Sequence, residues 1–453
     1  MDLPGDDRHP GGAGLDRDPA QEDAAGGVDP TPARRSMTYS RPGVAFDTAM
    51  PCAGRSAVPE FVVWSRTPQE TRDMIATTRS WFWMALAAAA LVAGCERGGP
   101  QELRIGVVVA QTGPSGARGK DLLDGATLAA EEINAADYKI GENRLTVKIE
   151  ASDDRGEVGL SKQQAQAFVD SGVNAVIGPV NTPQAAAVIP VVAAKGIPQM
   201  ITATGASLVG IGSGNVLRLL ANDDKQGRAM ASFASEISTG KRIATITEKS
   251  DYGRGLLHTF DDALKDKQLA PVLAVELDDG PLPANLAAQL KEAKVDLIAL
   301  FAREPQLNAL LDAMDAAGMT DVAVLGTNVV RNKSVAQRPV HVKALYATAT
   351  AIDASEFPEG KAFLERFHRR FHADPVWGAQ ISYDAVYALA DAARQGRSIE
   401  GAQLVSTLKR IEPVTQVNQQ MRFATTGEQV YPNIAVYKVE RDAWRLQMMS
   451  ATW

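Results

Sequence analysis

The chain has 453 residues, of which 45% are hydrophobic and 22% are charged, so it has the composition of a soluble globular protein and the length of about two to three domains. The 47 basic and 54 acidic residues give a net charge of −7, which argues against nucleic acid as a partner because an acidic surface repels phosphate. The two cysteines, Cys52 and Cys95, allow at most one disulfide bond and no cysteine-based zinc site, and we expect no cofactor or metal.

Residues 1–73 are rich in glycine, proline, aspartate and arginine, and they show no sustained hydrophobic periodicity. A segment with so few apolar residues cannot build a core, so one interpretation is that it is disordered. The other interpretation is that these residues are translated from a start codon placed too far upstream and that Met74 is the true start. We favour the second interpretation.

Residues 74–94 have the pattern of a signal peptide, in which Arg79 precedes an apolar stretch at 81–92 that is too short to span a bilayer. The stretch is followed by Ala-Gly and then Cys95, which resembles the lipobox of bacterial lipoproteins. The sequence therefore predicts that Cys95 carries a lipid, that residues 95–102 form a tether, and that the protein is held at a membrane in the periplasm or at the cell surface. The alternative is a small buried helix with a chance cysteine.

From residue 103 onward, predicted strands alternate with predicted helices, as in right-handed βαβ units with mostly parallel sheets. In the first series we expect strands at 103–110, 145–151, 175–178, 197–203 and 216–221, with helices at 121–134, 161–170 and 183–195. In the second series we expect strands at 242–248, 272–277, 297–301 and 322–326, with helices at 253–265, 284–293 and 305–317. The tail adds a strand at 345–351, helices at 359–371 and 380–395, and strand-like segments at 419–423, 434–439 and 444–448.

Two successive series of this kind predict an α/β protein with two Rossmann-like lobes. Lobe 1 is expected at 103–222 with 347–427 returning to it, and lobe 2 at 223–346 with 428–453 returning to it. Several crossovers of the chain between two lobes make a hinge, and a hinge creates a cleft that can close on a ligand.

Loops that follow the strands of lobe 1 carry the candidate binding residues, because ligands of open α/β sheets bind beyond the carboxyl ends of the strands and against helix N-termini. The four loops lie at 111–119, 177–183, 201–207 and 218–224. In the second loop, Thr182 is predicted as a helix N-cap and Pro183 as the first helical residue, which leaves backbone N–H groups free to bind a carboxylate. The alternative is that Thr182 only caps its helix.

In their order and spacing, several short motifs resemble the leucine/isoleucine/valine-binding proteins, which are solute-binding proteins of ABC importers with the type I periplasmic binding protein fold. The motifs are Arg-Ile-Gly at 104–106, Thr-Gly-Pro at 112–114, Glu-Ile-Asn at 132–134, Asp-Tyr-Gly at 251–253 and Tyr-Asp-Ala-Val at 383–386. The resemblance extends over about residues 103–450. It implies a monomeric, two-lobed protein that binds an amino acid or a related small molecule, works with ABC permease subunits and is not an enzyme.

In that family the α-carboxylate of the ligand is held by backbone groups at the positions of Val180 and Asn181 and by a hydroxyl at the position of Thr182. A further hydroxyl comes from the third loop, and the resemblance implies Thr204, next to Ala203, for this role. The alternative for the third loop is an ordinary connection between a strand and a helix.

The acidic partner that the family provides for the α-ammonium of the ligand matches Asp223. A carboxylate suits this role because it accepts charge-assisted hydrogen bonds from an ammonium group. The alternative for Asp223 is a helix N-cap. Tyr252 is implied as a lining residue of lobe 2, and its alternative is a plain aromatic at the start of a helix.

The sequence departs from the family at three positions of the expected cleft. Asn328 stands where the family has a second acidic ligand, and Arg118 replaces a common aromatic residue. Arg303 adds charge to a loop of lobe 2 in which aromatics are frequent. Two arginines that face the cleft would suit a ligand with an additional carboxylate, amide or other anionic group. The alternative is that both arginines lie on the exposed rim.

As a whole, the sequence predicts a lipoprotein that contacts a membrane only through its lipid anchor, captures a small amino-acid-like solute and delivers it to an ABC permease. The alternative is a ligand-sensing or regulatory receptor with the same fold, such as an amide sensor or an activator of cell-wall synthases. An enzyme is the least favoured interpretation, because no nucleophile elbow, Ser/His/Asp order or carboxylate pair stands out.

Overall fold

The computed structural model of the protein describes residues 101–278, 280–418 and 420–451. The predicted extension, the predicted signal peptide and Cys95, the predicted site of the lipid, lie outside these residues. Within the described ranges, no helix is long and apolar enough to cross a bilayer.

Lobe 1 is built on a six-stranded sheet. Its strands are β1 (Gln101–Val109), β2 (Lys139–Ile140), β3 (Asn143–Asp153), β4 (Ala175–Ile177), β5 (Gln199–Ile201) and β6 (Val216–Arg218), and its first helices are α1 (Gly116–Ala135), α2 (Val158–Ser171), α3 (Thr182–Ala193) and α4 (Leu208–Ile211). The strand order is β2-β3-β1-β4-β5-β6, and all neighbours are parallel except β2 and β3. In β1, Ile105 and Val107 pack in the core shared with α1, whereas Val108 packs with residues of α2 and α3. Both faces of the strand are therefore covered, which explains its unbroken apolar sequence.

Lobe 2 contains the second series of strands and helices. Its elements are α5 (Asp223–Ile237), β7 (Ile243–Glu248), α6 (Asp251–Asp266), β8 (Leu273–Leu277), α7 (Leu286–Glu292), β9 (Leu297–Phe301), α8 (Glu304–Ala316), β10 (Ala323–Gly326), a 3₁₀ turn (Asn328–Val330), α9 (Lys333–Gln337) and β11 (Ala344–Ala349). All strands of this series pair in parallel. Their pairing places the carboxyl ends of β7, β9 and β10 at one edge of the sheet.

The remainder of the chain is divided between the two lobes. Its elements are a 3₁₀ turn (Ala354–Glu356), α10 (Gly360–Phe371), α11 (Ala379–Gly396), α12 (Gly401–Leu408), β12 (Ile434–Glu440) and β13 (Ala443–Ser450). Helices α10 to α12 join the core of lobe 1, where α11 packs along α1. The antiparallel hairpin of β12 and β13 extends the sheet of lobe 2, whose order is β13-β12-β11-β10-β9-β7-β8. The predicted class, α/β with two Rossmann-like lobes joined by several crossovers, is confirmed.

Within the described residues, the chain passes between the lobes three times. The first crossing follows β6, the second follows β11, and the third precedes β12. Because β11 lies entirely in the second sheet, the lobe boundary expected at residue 347 falls inside a strand. The first and third crossings lie side by side, since the backbone N–H of Arg218 donates to the carbonyl of Gly427 at 2.9 Å. A Cβ on residue 427 would lie 1.9 Å from the carbonyl oxygen of Val216, so this close approach requires glycine.

Two features of the tail differ from what the sequence indicated. Helix α12 was not predicted, and the segment predicted as strand-like at 419–423 forms only one bridge in its described part, between Phe423 and Gln429. Side chains bind the backbone of this region in place of a neighbouring strand. The backbone N–H of Arg422 donates to the Oε1 atom of Gln429 at 2.8 Å, and Asp384 accepts hydrogen bonds from the backbone N–H groups of the preceding residues 416–418 at 2.7 to 3.2 Å.

Candidate ligand-binding cleft

The loops that follow β4 and β5 are tied together by Thr182 and Gly205. The Oγ1 atom of Thr182 accepts a hydrogen bond from the backbone N–H of Gly205 at 3.1 Å. A Cβ on residue 205 would lie 2.4 Å from the Cγ2 atom of Thr182, so the two loops are in direct contact. The Thr182 hydroxyl still has its own proton to donate, and a ligand oxygen is a suitable acceptor.

Helix α3 begins one residue earlier than predicted. Asn181 is its N-cap, because its backbone is extended and its carbonyl accepts the N–H of Ala185 at 3.0 Å. The prediction of Thr182 as the N-cap and Pro183 as the first helical residue is therefore wrong by one position. The amide of Asn181 makes no capping bond and donates instead to the Oγ atom of Ser115 at 3.1 Å. The first N–H groups of α3 thus have no partner within the helix.

The remaining predicted residues of the second and third loops contribute in different ways. The side chain of Val180 is buried in the core of lobe 1, so only its backbone could contact a ligand. Ala203 is buried as well, and its carbonyl accepts a hydrogen bond from Arg218. Thr204 is half-buried, and its carbonyl accepts the backbone N–H of Asp223 at 2.9 Å. The third loop is thus joined directly to the first residue of α5.

The carboxylate of Asp223 is available for a ligand. Asn222 is the N-cap of α5, because its Oδ1 atom accepts the N–H of Lys225 at 3.0 Å, so the N-cap alternative for Asp223 is wrong. The Oδ1 atom of Asp223 is buried and has no hydrogen-bond partner among the described residues. Burial raises the pKa of Asp223 to about 6, although the hydroxyl of Thr204 and the charge of Arg218 act in the opposite direction.

Arg218 supports the third loop from behind, and the sequence analysis did not predict this role. Its side chain is fully buried at the end of β6. One N–H group donates to the carbonyl of Gly205 at 2.8 Å, another donates to the carbonyl of Ala203, and Nε pairs with Glu428 at 2.9 Å. The sequence contains one signal for this role, because Arg218 lies inside the apolar run Val-Leu-Arg-Leu-Leu. A charged side chain in such a run needs a buried partner.

Tyr252 and its neighbours lie in lobe 2, close to Asp223. The Tyr252 hydroxyl donates to the Oδ1 atom of Asn328 at 2.8 Å. Burial and the nearby charge of Asp223 raise the pKa of Tyr252. Gln226 and Thr327 are fully buried, yet both polar atoms of the Gln226 amide and the Oγ1 atom of Thr327 have no hydrogen-bond partner among the described residues. A polar cluster with unused hydrogen-bonding capacity is therefore formed by Asp223, Gln226, Tyr252, Thr327 and Asn328.

Gln226 and Thr327 were not predicted from the sequence. Gln226 lies three residues after Asp223 on α5, and this spacing puts the two side chains on the same face of the helix. Thr327 directly precedes Asn328 after β10. Both positions could have been found as polar side chains at the carboxyl end of a strand or in the first turn of a helix at the cleft.

Arg118 lies in the first turn of α1 with a half-buried side chain. Its Cζ atom is 5.4 Å from the ring centroid of Trp377. Burial lowers the pKa of Arg118, Tyr252 opposes this shift, and Arg331 and Arg303 add to it. The structure thus places Arg118 opposite residues of lobe 2.

Arg303 lies nearer to the rim than Arg118 does. Its side chain is 56% exposed, its Nε atom is 3.4 Å from the Oε1 atom of Glu248, and its Cζ atom is 5.6 Å from the ring centroid of Tyr252. Arg331, which was not predicted, is almost fully buried and forms two hydrogen bonds to the carboxylate of Asp353 at 2.9 and 3.0 Å. Arg303 therefore has a carboxylate neighbour in Glu248, and Arg331 has one in Asp353.

Comparison with known proteins agrees with this architecture. Residues 102–443 match the family model described as periplasmic binding protein. A Leu/Ile/Val-binding protein of Rhizobium johnstonii is 27% identical over 354 residues, which cover 75% of this chain and 92% of the relative. The predicted resemblance to the leucine/isoleucine/valine-binding proteins is confirmed.

Solved structures share the fold. An ABC transporter substrate-binding protein from Desulfitobacterium hafniense in complex with Leu matches with a TM-score of 0.65 at 21% identity, covering 77% of this chain and 100% of that one. A solute-binding protein of an ABC transporter from Rhodopseudomonas palustris BisB5, in complex with 3,4-dihydroxybenzoic acid, matches with a TM-score of 0.63 at 18% identity, covering 77% and 96%. Proteins with this fold are thus found with different small ligands.

Proposed function

Because the chain belongs to the periplasmic binding protein family, whose members are extracytoplasmic solute-binding proteins and not enzymes, we propose that it captures an α-amino acid between its lobes and delivers it to an ABC importer. We further propose that it acts as a monomer and is anchored to a membrane by a lipid on Cys95. The names of the relatives support the transport role, and the lipobox supports the anchor.

The unpartnered, buried Oδ1 atom of Asp223 is the observation that carries this proposal. A buried carboxylate oxygen without a hydrogen-bond partner is costly, and that cost is reduced when a cation binds. The α-ammonium of an amino acid supplies this cation and can donate charge-assisted hydrogen bonds to the carboxylate. A ligand without a positive charge would leave the cost in place.

The donors for the α-carboxylate lie next to Asp223. Thr182 is hydrogen-bonded to Gly205, the residue that follows Thr204, and the carbonyl of Thr204 accepts the N–H of Asp223. The proposed acceptor for the ammonium group, Asp223, and the proposed donor for the carboxylate, Thr182, are therefore both bonded to the same short loop at 204–205. The two charged groups of an α-amino acid are separated by a single carbon atom, so they require such a close pair of subsites. The free N–H groups at the start of α3, after Asn181, add a favourable helix dipole for the carboxylate.

Lobe 2 provides the other half of the site. Tyr252, with Gln226 and Thr327 beside it, lies within electrostatic reach of Asp223, and the last two have unused donors and acceptors. A ligand held by groups of both lobes stabilises the closed arrangement because it gains those contacts only when the lobes approach each other. In this proposal, Asn328 positions Tyr252 through their hydrogen bond.

A thermal-shift screen of the purified protein tests the amino-acid proposal. At an amino-acid concentration of one hundred times Kd, binding to the native state adds about 2.7 kcal/mol to the free energy of unfolding, which is seen as a higher Tm. We expect a rise with at least one L-amino acid, no rise with the amino acid lacking its α-amino group, and recovery of the ligand unchanged. A protein that no amino acid stabilises would refute the proposal.

The anchor is tested separately. We expect the lipoprotein signal-peptidase inhibitor globomycin to block processing and the mature N-terminus to be Cys95. An N-terminus at any other residue would refute the lipid anchor, and it would leave the proposed binding function unaffected.

A further inference from the structure

We propose that Arg118 determines the specificity of the cleft by pairing with a second carboxylate, so that the ligand is an α-amino acid with an acidic side chain. This inference rests on the proposed function, in which Asp223 and Thr182 hold the α-ammonium and the α-carboxylate. The new element is the contact between Arg118 and the side chain of the ligand.

Arg118 contacts the ring of Trp377 but differs from the other arginines of the cleft because it lacks a hydrogen-bond or ion-pair partner among the described residues. Within the described ranges it makes no hydrogen bond and no ion pair, whereas Arg331 is paired with Asp353 and Arg303 approaches Glu248 at 3.4 Å. A guanidinium group that is half-buried and unpaired has lost part of its hydration without replacement. Binding of an anion at this position would replace the lost hydration.

The surroundings of Arg118 are positively charged as well. Arg303 and Arg331 both lie close enough to destabilise its charged form. Arg118 is also in the first turn of α1, which contains no acidic residue, so the positive end of the helix dipole adds to the repulsion. One carboxylate placed beside the guanidinium relieves the desolvation, the like-charge repulsion and the unfavourable helix dipole together.

The guanidinium of Arg118 is held in place by a fixed aromatic neighbour. Asp121, one turn along α1, accepts hydrogen bonds from the backbone N–H groups of residues 376–378 at 2.6 to 3.2 Å. These bonds fix Trp377, whose ring stacks near the Arg118 guanidinium. A planar guanidinium group that is held in one place is well suited to bind a carboxylate through two parallel hydrogen bonds.

The chemistry of the ligand side chain decides whether Arg118 gains an ion-pair partner. A leucine-like side chain extended toward Arg118 would cover the guanidinium without pairing with it, which increases the desolvation cost. An acidic side chain of suitable length would instead form the missing ion pair.

Calorimetric titration of the full-length protein tests this inference, with L-aspartate, L-glutamate and L-2-aminoadipate as acidic probes and L-asparagine, L-glutamine and L-leucine as neutral probes. We expect one acid to bind about tenfold to a hundredfold more tightly than its amide, because a charge-assisted pair replaces a neutral hydrogen bond. In Arg118→Met this preference of the acid over its amide disappears, because both probes lose the same donor. The matched control is Arg410→Met, an exposed arginine that follows α12, and it should leave every affinity unchanged.

A second measurement does not depend on the choice of probe. Without ligand, Arg118→Met should raise the Tm, because it removes an unpaired charge from a positive environment; a lower Tm would contradict the inference. Tight binding of leucine with no acid bound by the wild type would overturn the inference and leave the proposed function intact. Failure of every amino acid to bind would overturn both.

Discussion

Arg218 and Glu428 are 210 residues apart in the sequence and form an ion pair in which Nε and Oε2 are 2.9 Å apart. Arg218 ends β6 and is fully buried, whereas Glu428 belongs to the third crossing between the lobes. The other N–H groups of Arg218 donate to carbonyls of the loop that contains Thr204. The pair therefore connects the hinge to the loop that, in our proposal, contacts the ligand.

We expect Arg218→Met to lower the free energy of unfolding by about 2–4 kcal/mol, because it leaves the Glu428 carboxylate and two loop carbonyls without their donor. Ligand affinity should also decrease, since the loop is no longer held. Urea denaturation monitored by circular dichroism measures the first effect. Glu428→Gln is the matched control, because its amide oxygen can still accept from Arg218, and its loss should be about 1 kcal/mol. Equal losses in the two variants would contradict this role of Arg218.

The affinity for amino acids should depend on pH through Asp223. Its pKa of about 6 in the empty protein means that a proton must leave the carboxyl group before an ammonium can pair with it below this pH. Between pH 7 and pH 5 we therefore expect Kd to rise about tenfold, as measured by calorimetric titration. Asp223→Asn should bind weakly at both pH values. A wild-type Kd that stays constant over this range would show that Asp223 does not hold the ammonium.

Asp223 should also limit the stability of the empty protein at neutral pH. A carboxyl group whose pKa is higher in the folded protein than its value of about 4 in the unfolded chain stabilises the fold while it is protonated. Its contribution is complete below about pH 4 and is lost as the pH rises through about 6. At pH 7 we expect Asp223→Asn to be more stable than the wild type by about 1–3 kcal/mol, and less different at pH 4. Urea denaturation at both pH values measures this, and a variant less stable at pH 7 would contradict it.

Two substitutions of Thr182 should distinguish the contribution of its hydroxyl group from the contribution of its side-chain shape. Thr182→Val removes the acceptor of the Gly205 N–H and the donor proposed for the ligand, so we expect a stability loss of about 1–2 kcal/mol and an affinity loss of about tenfold to a hundredfold. Thr182→Ser retains the hydroxyl and should bind within about threefold of the wild type. If the valine variant binds like the serine variant, the hydroxyl does not contact the ligand.

The sequence predicted the fold well because its signals are local. The unbroken apolar run of β1 and the alternation of strands with amphipathic helices follow from burial on both faces of a parallel sheet. The start of α3 was predicted to within one residue. Asn181 and Thr182 are both good capping residues, and the contact of Asn181 with Ser115, on another loop, cannot be read from the local sequence.

The site was predicted less completely because several of its contacts join distant segments. The partner of Arg218 is in the third crossing, and Trp377 reaches Arg118 only because Asp121 holds its loop. The position of Gln226 near the start of α5 is only a weak sequence signal, and its importance becomes evident when its amide is found buried and unpartnered. Such residues are identified by their tertiary surroundings and not by their spacing in the chain.

A crystal structure of the protein with the amino acid that stabilises it most is the most direct test of the central claim. We predict that the ligand lies between the lobes, with its ammonium at hydrogen-bonding distance from the Oδ1 atom of Asp223 and its α-carboxylate at the Thr182 hydroxyl and the start of α3. A ligand bound outside the cleft, or one inside it that leaves the Asp223 carboxylate without a partner, would contradict the claim.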